Sequence, residues 1–238
     1  MLISTWSLTQ YLSLVVNERG TELRDGFPWA SLGSGKVVDV GGGSGHISIK
    51  LARVSHMSFS SCLDRFVSNN AEQDIFNSNS ESQEFPSLRF VVQDNSPVQL
   101  GHGEEQLGGR VNFQPHDFFE LQPVHDASAF LLRQILHNHN NEDSIKIIRA
   151  LVPALEKCGP ATPVLISDII LPEYGTVTRF EERLLRQIDL CMMVGFGSKQ
   201  RSRQDWAKLF NDADPRFQIV NAQINPLGIG LLQVHLMS

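Results

Sequence analysis

What this sequence is short of narrows it first. Its 238 residues hold three cysteines, Cys62, Cys158 and Cys191. They are odd in number and far apart, which fits neither a disulfide framework nor a zinc-ligand spacing, and no metal site is expected. Positive charge is scarce too. Twenty lysines and arginines against 26 acids leave a formal net charge of −6, with no basic face for a nucleic-acid backbone. No apolar stretch reaches the roughly 20 residues that cross a bilayer. The opening "MLISTWSLTQYLSLVV" lacks the basic start and the cleavage site of a secretory signal. The expectation is a cytoplasmic protein with no nucleic-acid and no membrane partner. What is present is ordinary: 41% hydrophobic and 19% charged residues, at a length that supports one α/β domain with a full core.

Hydrophobic patterning sets the organisation. Thr9 to Arg24 reads as an amphipathic helix with Leu12, Val15, Val16 and Leu23 near one face, ended by Gly26 and Pro28. Val37 to Val40 reads as a short buried strand, with helix following over Ser48 to Arg53. Further strands are predicted at "LRFVVQD" (88–94), "RVNFQPHDFF" (110–119), "ASAFLLRQ" (127–134) and "TPVLISDII" (162–170). Between the last two lies a helix capped by Asn140 or Asn141, with acids in its first turn and Gly159-Pro160 as its stop. "RFEERLLRQIDLCMMV" and "SRQDWAKLFNDA" are helical, and the end reads as two strands around Asn225-Pro226-Leu227-Gly228, an antiparallel hairpin. Strands alternating with helices predict a mostly parallel sheet covered on both faces.

The glycine turn in "VVDVGGGSGHISIKLA" (37–52) is again defined by what it lacks. A dinucleotide fingerprint needs a third glycine, but His46 or Ser48 stands there, depending on the register. A nucleoside-triphosphate loop needs a lysine, and the turn has none. What remains is Asp39, Gly41, Gly43 and Gly45 in an Asp-x-Gly-x-Gly-x-Gly pattern, which resembles the first motif of S-adenosylmethionine-dependent methyltransferases. A nucleoside ligand also needs an acid at the end of the next strand, about 20 residues on in related folds. Asp94 is the candidate, but it lies 49 residues beyond Gly45. The excess falls in 54–83, a stretch with eight serines, four asparagines and no periodicity; without these 30 residues the separation is 19. The stretch reads as an insertion. Its edges, Val54-Ser55 and Gln83, can be encoded GTAAGT and CAG, so a retained intron and a natural surface loop both account for it.

Taken with "LRFVVQD", "RVNFQPHDFF", "LLRQILHNHNNEDSIKIIRAL", "VLISDIILPEYG" and "DLCMMVGFGSKQRSRQDWAKLF", the turn makes residues 29–238, excluding 54–83, resemble the catalytic domain of plant caffeic-acid-type O-methyltransferases. The resemblance to fungal secondary-metabolite O-methyltransferases is closer still. It implies a class I methyltransferase Rossmann-like fold: a mostly parallel seven-stranded sheet with a C-terminal antiparallel hairpin. It implies S-adenosylmethionine as cofactor and a small aromatic hydroxyl as acceptor. Gly41, Gly43 and Gly45 would pass near the donor's methionine part, Asp94 would bind its ribose, Asp117 and Phe118 its adenine, and Arg133 its carboxylate. The family is usually dimeric through an N-terminal domain; residues 1–28 are read as a helical remnant of it.

The same resemblance implies the chemistry. His137 in "ILHNH" matches the general base that takes the proton from the acceptor hydroxyl, with His139 a weaker candidate. Asp168 matches an acid that orients the base, and where a second acid is expected this chain has the neutral Gln200. Cys191, Met192 and Phe196 belong to a helix expected to wall the acceptor pocket. Two other readings stay open at this point: a donor-binding but catalytically impaired paralogue, and, more distantly, a nicotinamide-dependent oxidoreductase.

Overall fold

The computed structural model describes residues 23, 25–53, 87–101, 109–224 and 228–238. Most of the expected N-terminal helix, the stretch 54–83 and the hairpin turn 225–227 lie outside these residues. Strand β1, Lys36–Val40, leads through the glycine turn to helix α1, His46–Arg53. Then come β2 (Arg89–Asp94), the single turn α2 (Pro97–Leu100), β3 (Val111–Pro115) and β4 (Ala129–Arg133). A 3-10 turn, Leu136–Asn138, precedes α3 (Asn141–Cys158), β5 (Val164–Leu171) and α4 (Arg179–Phe196). The chain closes with β6 (Arg201–Ser202), α5 (Arg203–Ala213), β7 (Phe217–Ile224) and β8 (Ile229–Leu236).

The strands form one sheet in the order β3-β2-β1-β4-β5-β8-β7. Pairing is parallel from β3 to β5, and β8 runs antiparallel to both β5 and β7. The seven expected strands and the terminal hairpin are therefore present. An eighth strand, the two-residue β6, pairs beside β5 off this path. Two predicted strands are shorter than expected. β3 ends at Pro115, which has no N–H to continue a ladder. β4 ends at Arg133 because Gln134 turns to φ 56°, a left-handed conformation rare outside glycine.

Side chains alternate across the sheet with the strand period of two. Val38, Val40, Phe130 and Leu132 face α3 and α5, where Ile147, Leu151, Trp206 and Phe210 complete one core. Val37, Phe90, Val92 and Leu131 face the other way, onto Leu51 of α1 and onto Leu23 and Trp29. A third cluster packs Leu184, Leu185 and Ile188 of α4 on Ile169 and Leu171 at the end of β5. The helix ends follow local chemistry. The side chains of Asn140, Thr178 and Ser202 each accept a backbone N–H at the start of α3, α4 and α5, and the last two complete capping boxes with Glu181 and Asp205. Gly197 closes α4 in the left-handed region, at φ 63°. Among the described residues no helix is long and apolar enough to cross a membrane, and no group of His, Cys, Asp and Glu is clustered to hold a metal ion.

The strand order locates the site. From β1 the chain moves outward to β2 and β3, then returns to place β4 on the opposite side of β1. The connections leaving β1 and β4 diverge, and a crevice opens at their carboxyl ends. The fold's dependence on β4 is testable. Leu132→Ala, at a position 1% exposed, is expected to cost about 2–5 kcal/mol in urea denaturation without a change of fold.

Candidate active site

The crevice has a volume of about 570 Å³ and is lined by Asp39, Gly41–Ser44, His46, Ile47, Asp94, Ser96, Gln99, Arg133–Ile135 and Asn138. The glycine turn forms its floor. Gly41, Gly43 and Gly45 all take positive φ, at 71°, 58° and 71°. Their surroundings differ. A side chain on Gly41 would meet Ile135 at 2.6 Å, and one on Gly45 would meet the Phe113 ring at 2.8 Å. Above Gly43 only Gln99 Oε1 comes near, at 3.8 Å, so there the backbone is open to a ligand. Gly45 supports the turn from beneath and does not line the crevice.

Asp94 stands at the end of β2 and closes the turn from the side. Its Oδ2 accepts the Gly43 N–H at 3.1 Å and its Oδ1 the Ser96 N–H at 2.8 Å. Asp39 is buried on the α1 side of β1, where the Ser48 hydroxyl donates to its Oδ2 at 2.6 Å. Burial pushes its carboxyl up to about 6, against the opposing effects of the Ser48 bond and the Arg133 charge. Arg133 lines the opposite wall, 3.5 Å from His46 Nε2, with its Nε buried and unpartnered among the described residues. Burial pulls its pKa below the usual arginine range, opposed by the charges of Asp39 and Asp168. Open backbone at Gly43, a carboxylate at the end of β2 and a guanidinium with a donor to spare form a donor set that fits an amino acid joined to a nucleoside.

The turn after β3 is closed on itself. Asp117 is exposed, its Oδ1 accepts the Phe119 N–H at 3.0 Å, and it does not line the crevice. Phe118 is half-buried and packs edge-on against His139, with ring centroids 5.5 Å apart; it also lies 3.5 Å from a side chain built on Gly41. Beneath this turn is an amide pair the sequence did not reveal: Gln93 and Gln122, both buried, exchange side-chain hydrogen bonds of 2.9 and 2.8 Å. They satisfy each other's polar groups inside the core.

His137 sits in the 3-10 turn, between Ile135 and Asn138 of the crevice wall. Its Nδ1 lies 3.2 Å from Asp168 Oδ1, with the Asp168 side chain 1% exposed and the imidazole 12%. Asp168 Oδ1 also accepts its own neighbour's N–H, from Ile169, at 2.8 Å. This arrangement places the Nδ1 proton on the side of the carboxylate and leaves Nε2 as the acceptor. Gln200 joins them: its Nε2 is 3.5 Å from His137 Nδ1 and its Oε1 is buried without a partner among the described residues. Sequence and structure thus agree in bringing His137, Asp168 and Gln200 together. None of the residues expected on the acceptor-pocket wall lines the crevice. Met192 is half-buried beside this group, its carbonyl 3.5 Å from the Ser198 hydroxyl that holds the His137 carbonyl at 2.6 Å. Cys191 and Phe196 are exposed on α4. Gln134, Ser198 and Arg201 were not singled out in the sequence, because their roles come from backbone geometry and not from a recognisable side-chain pattern.

A fold with a nucleoside-sized crevice at the β1–β4 switch point, and an acid-oriented histidine beside it, defines a class I transferase architecture. The O-methyltransferase domain family matches residues 78–215, and the chain belongs to that family. O-methyltransferase sol2 of Alternaria solani is 39% identical over 228 residues, covering 94% of this chain and 46% of the relative. O-methyltransferase bfoD of Aspergillus brasiliensis is 37% identical over 208 residues, covering 84% of this chain and 41% of the relative. The chain therefore spans less than half the length of these relatives. Among solved structures, LepI in complex with SAM shares the fold, with a TM-score of 0.63 and 25% identity over 89% of this chain and 47% of LepI. The expected family and the class I fold are borne out.

Asp39 makes a measurable prediction. Its carboxyl is raised to about 6 in the folded chain from 3.8 unfolded, so the folded state holds an extra proton between these values. Its contribution to stability is full below about pH 4 and falls as pH rises through 6, by up to about 3 kcal/mol. Asp39→Asn should leave urea stability unchanged at pH 4 and raise it at pH 8, relative to the unsubstituted chain.

Proposed function

We propose that this chain carries out S-adenosylmethionine-dependent methylation of a hydroxyl on an aromatic or polyketide-type small molecule in the cytoplasm. The observation that carries the reading is the His137–Asp168 pair, 3.2 Å apart, with His137 in the turn between the crevice-lining residues Ile135 and Asn138. The names of the relatives and the SAM-bound LepI structure support it. The free thiols of Cys158 and Cys191 suit a reducing compartment.

When bound, the donor supplies a methyl group already activated on a sulfonium. The chain's residues then have three tasks. The first is to hold the donor: Asp94 would meet the ribose hydroxyls, the Gly41–Gly43 backbone the methionine part and Arg133 its carboxylate, while Asp117 and Phe118, expected at the adenine, lie outside the crevice lining. The second is to move a proton. A phenol has a pKa near 10 and is mostly protonated at neutral pH, so His137 Nε2 accepts the proton as the oxygen attacks. The third is to stabilise the imidazolium that results, the task of Asp168. Gln200 accompanies this pair with a dipole in place of a charge. Residues 54–83 we take as an insertion between α1 and β2; sequencing the spliced transcript distinguishes a retained intron from a natural loop.

His137→Ala should lower the methylation rate on a panel of hydroxylated aromatics by about 10²–10⁴, with S-adenosylhomocysteine binding unchanged in calorimetry. Asp94→Asn should do the reverse, weakening that binding first. Tight binding with no transfer to any acceptor by the unsubstituted chain would favour a donor-binding protein without catalysis.

A further inference from the structure

We infer that Arg201, together with Ser198, is a positioning residue that sets the placement of His137 from outside the crevice. The inference rests on the methyl-transfer reading for its kinetic arm but stands on separate geometry.

Arg201 is 1% exposed, and its guanidinium donates hydrogen bonds to the segment that carries the histidine. Its NH1 group donates to the Leu136 carbonyl at 2.7 Å and its NH2 group to the His139 carbonyl at 2.9 Å. These two carbonyls flank His137. The remaining donors reach Asn141 Oδ1, at 3.1 and 3.2 Å, and Ser144 Oγ at 3.1 Å. The fork therefore spans the join between the 3-10 turn and α3. Ser198 adds the missing carbonyl, donating its hydroxyl to His137 O at 2.6 Å. Residues 198–201 thus hold the backbone at 136, 137 and 139, and Gln200 between them faces the imidazole. The bracket is itself anchored. Asp189 Oδ1 accepts the Gln200 N–H at 2.7 Å, Arg201 lies 5.3 Å over the Trp206 ring, and β6 pairs Arg201 with Ile170 of the strand bearing Asp168. Base and orienting acid are consequently registered to the same two-residue strand.

The acceptors at 2.7–3.2 Å from the Arg201 guanidinium are two carbonyls, an amide oxygen and a hydroxyl, and the charges of Asp168 and Asp205 favour its charged form. A buried cation is retained at a desolvation cost, and burial holds its pKa below the usual arginine range. Lysine cannot replace it: one ammonium has no planar fork to reach carbonyls on both sides of a turn. A shift of about 1 Å in the imidazole is enough to cost about 10²-fold in rate, so the loss should be read in kcat.

The experiment uses the full chain with Arg201→Lys, Ser198→Ala and each of these in a His137→Ala background. Arg201→Lys is expected to lower kcat about tenfold or more, with acceptor KM and S-adenosylhomocysteine binding changed less than about twofold. In the His137→Ala background the same change should cost nothing further, since the residue acts through the imidazole. Histidine-selective NMR gives a readout free of turnover: the His137 ring signals should shift or broaden in Arg201→Lys and Ser198→Ala while those of His235 stay in place. An undisturbed His137 signal, or an equal loss of rate with and without the imidazole, overturns the inference. Absence of methyl transfer by the unsubstituted chain counts against the proposed function alone, and the NMR comparison then decides this one.

Discussion

The reversal of direction at β1 is the constraint on which the rest depends. Because the chain leaves β1 toward β2 and returns to place β4 on its other side, the backbone parts at the carboxyl ends of these strands. A sheet edge cannot supply such an opening; only a switch point separates adjacent connections and leaves their N–H groups and side chains facing a common space. The glycine turn leaves β1, Asp94 ends β2, and Arg133 and the His137 turn follow β4, yet they meet there because the strands are neighbours in register. The close packing of Gly41 under Ile135, and of Gly45 under Phe113, keeps the turn pressed to the sheet. Gly43 is left as the part that a ligand can approach.

Charge burial is the second organising element. Asp39, Asp168, Gln200 and Arg201 are all almost fully buried around the ends of β1, β5 and β6, where an unpaired polar group is expensive. Each has a defined local arrangement. Ser48 holds Asp39, Ile169 N–H and His137 face Asp168, and four neutral acceptors surround Arg201. Among the described residues Arg110 Nη1, Arg133 Nε, Gln200 Oε1 and Trp206 Nε1 are buried without a partner. Buried polar groups without partners are rare in folded chains, and two of these, on Arg133 and Gln200, lie at the crevice wall and beside the His137 imidazole.

Much of this was legible from residue order. The β-branched run before the glycines, the capped helix after Asn140 and the hairpin at the end follow from local pattern and chemistry. The failure of the dinucleotide and triphosphate spacings left a glycine pattern that resembles the methyltransferase motif. His137 and Asp168 were legible through their motifs, although 31 positions separate them. Strand ends were less so. Pro115 stops β3 by lacking a donor, which was visible, but the left-handed turn at Gln134 stops β4 with a residue that carries no such signal. The Gln93–Gln122 pair was illegible because a glutamine's partner is decided by what lies across the core, not by its neighbours in sequence.

By itself the order of residues determined the alternation of strands and helices, the glycine turn and its acid, since each of these is a short-range property of spacing and side-chain type. Only the tertiary structure decided which groups touch. Parallel pairing of β4 and β5 brings His137 within 3.2 Å of Asp168, and the chain entering the two-residue β6 carries Gln200 to the same imidazole and Arg201 to the carbonyls that flank it, from over 60 positions away. The reason is physical: a hydrogen bond between distant residues depends on the register of the strands that carry them, and that register is set by the packing of both faces of the sheet at once.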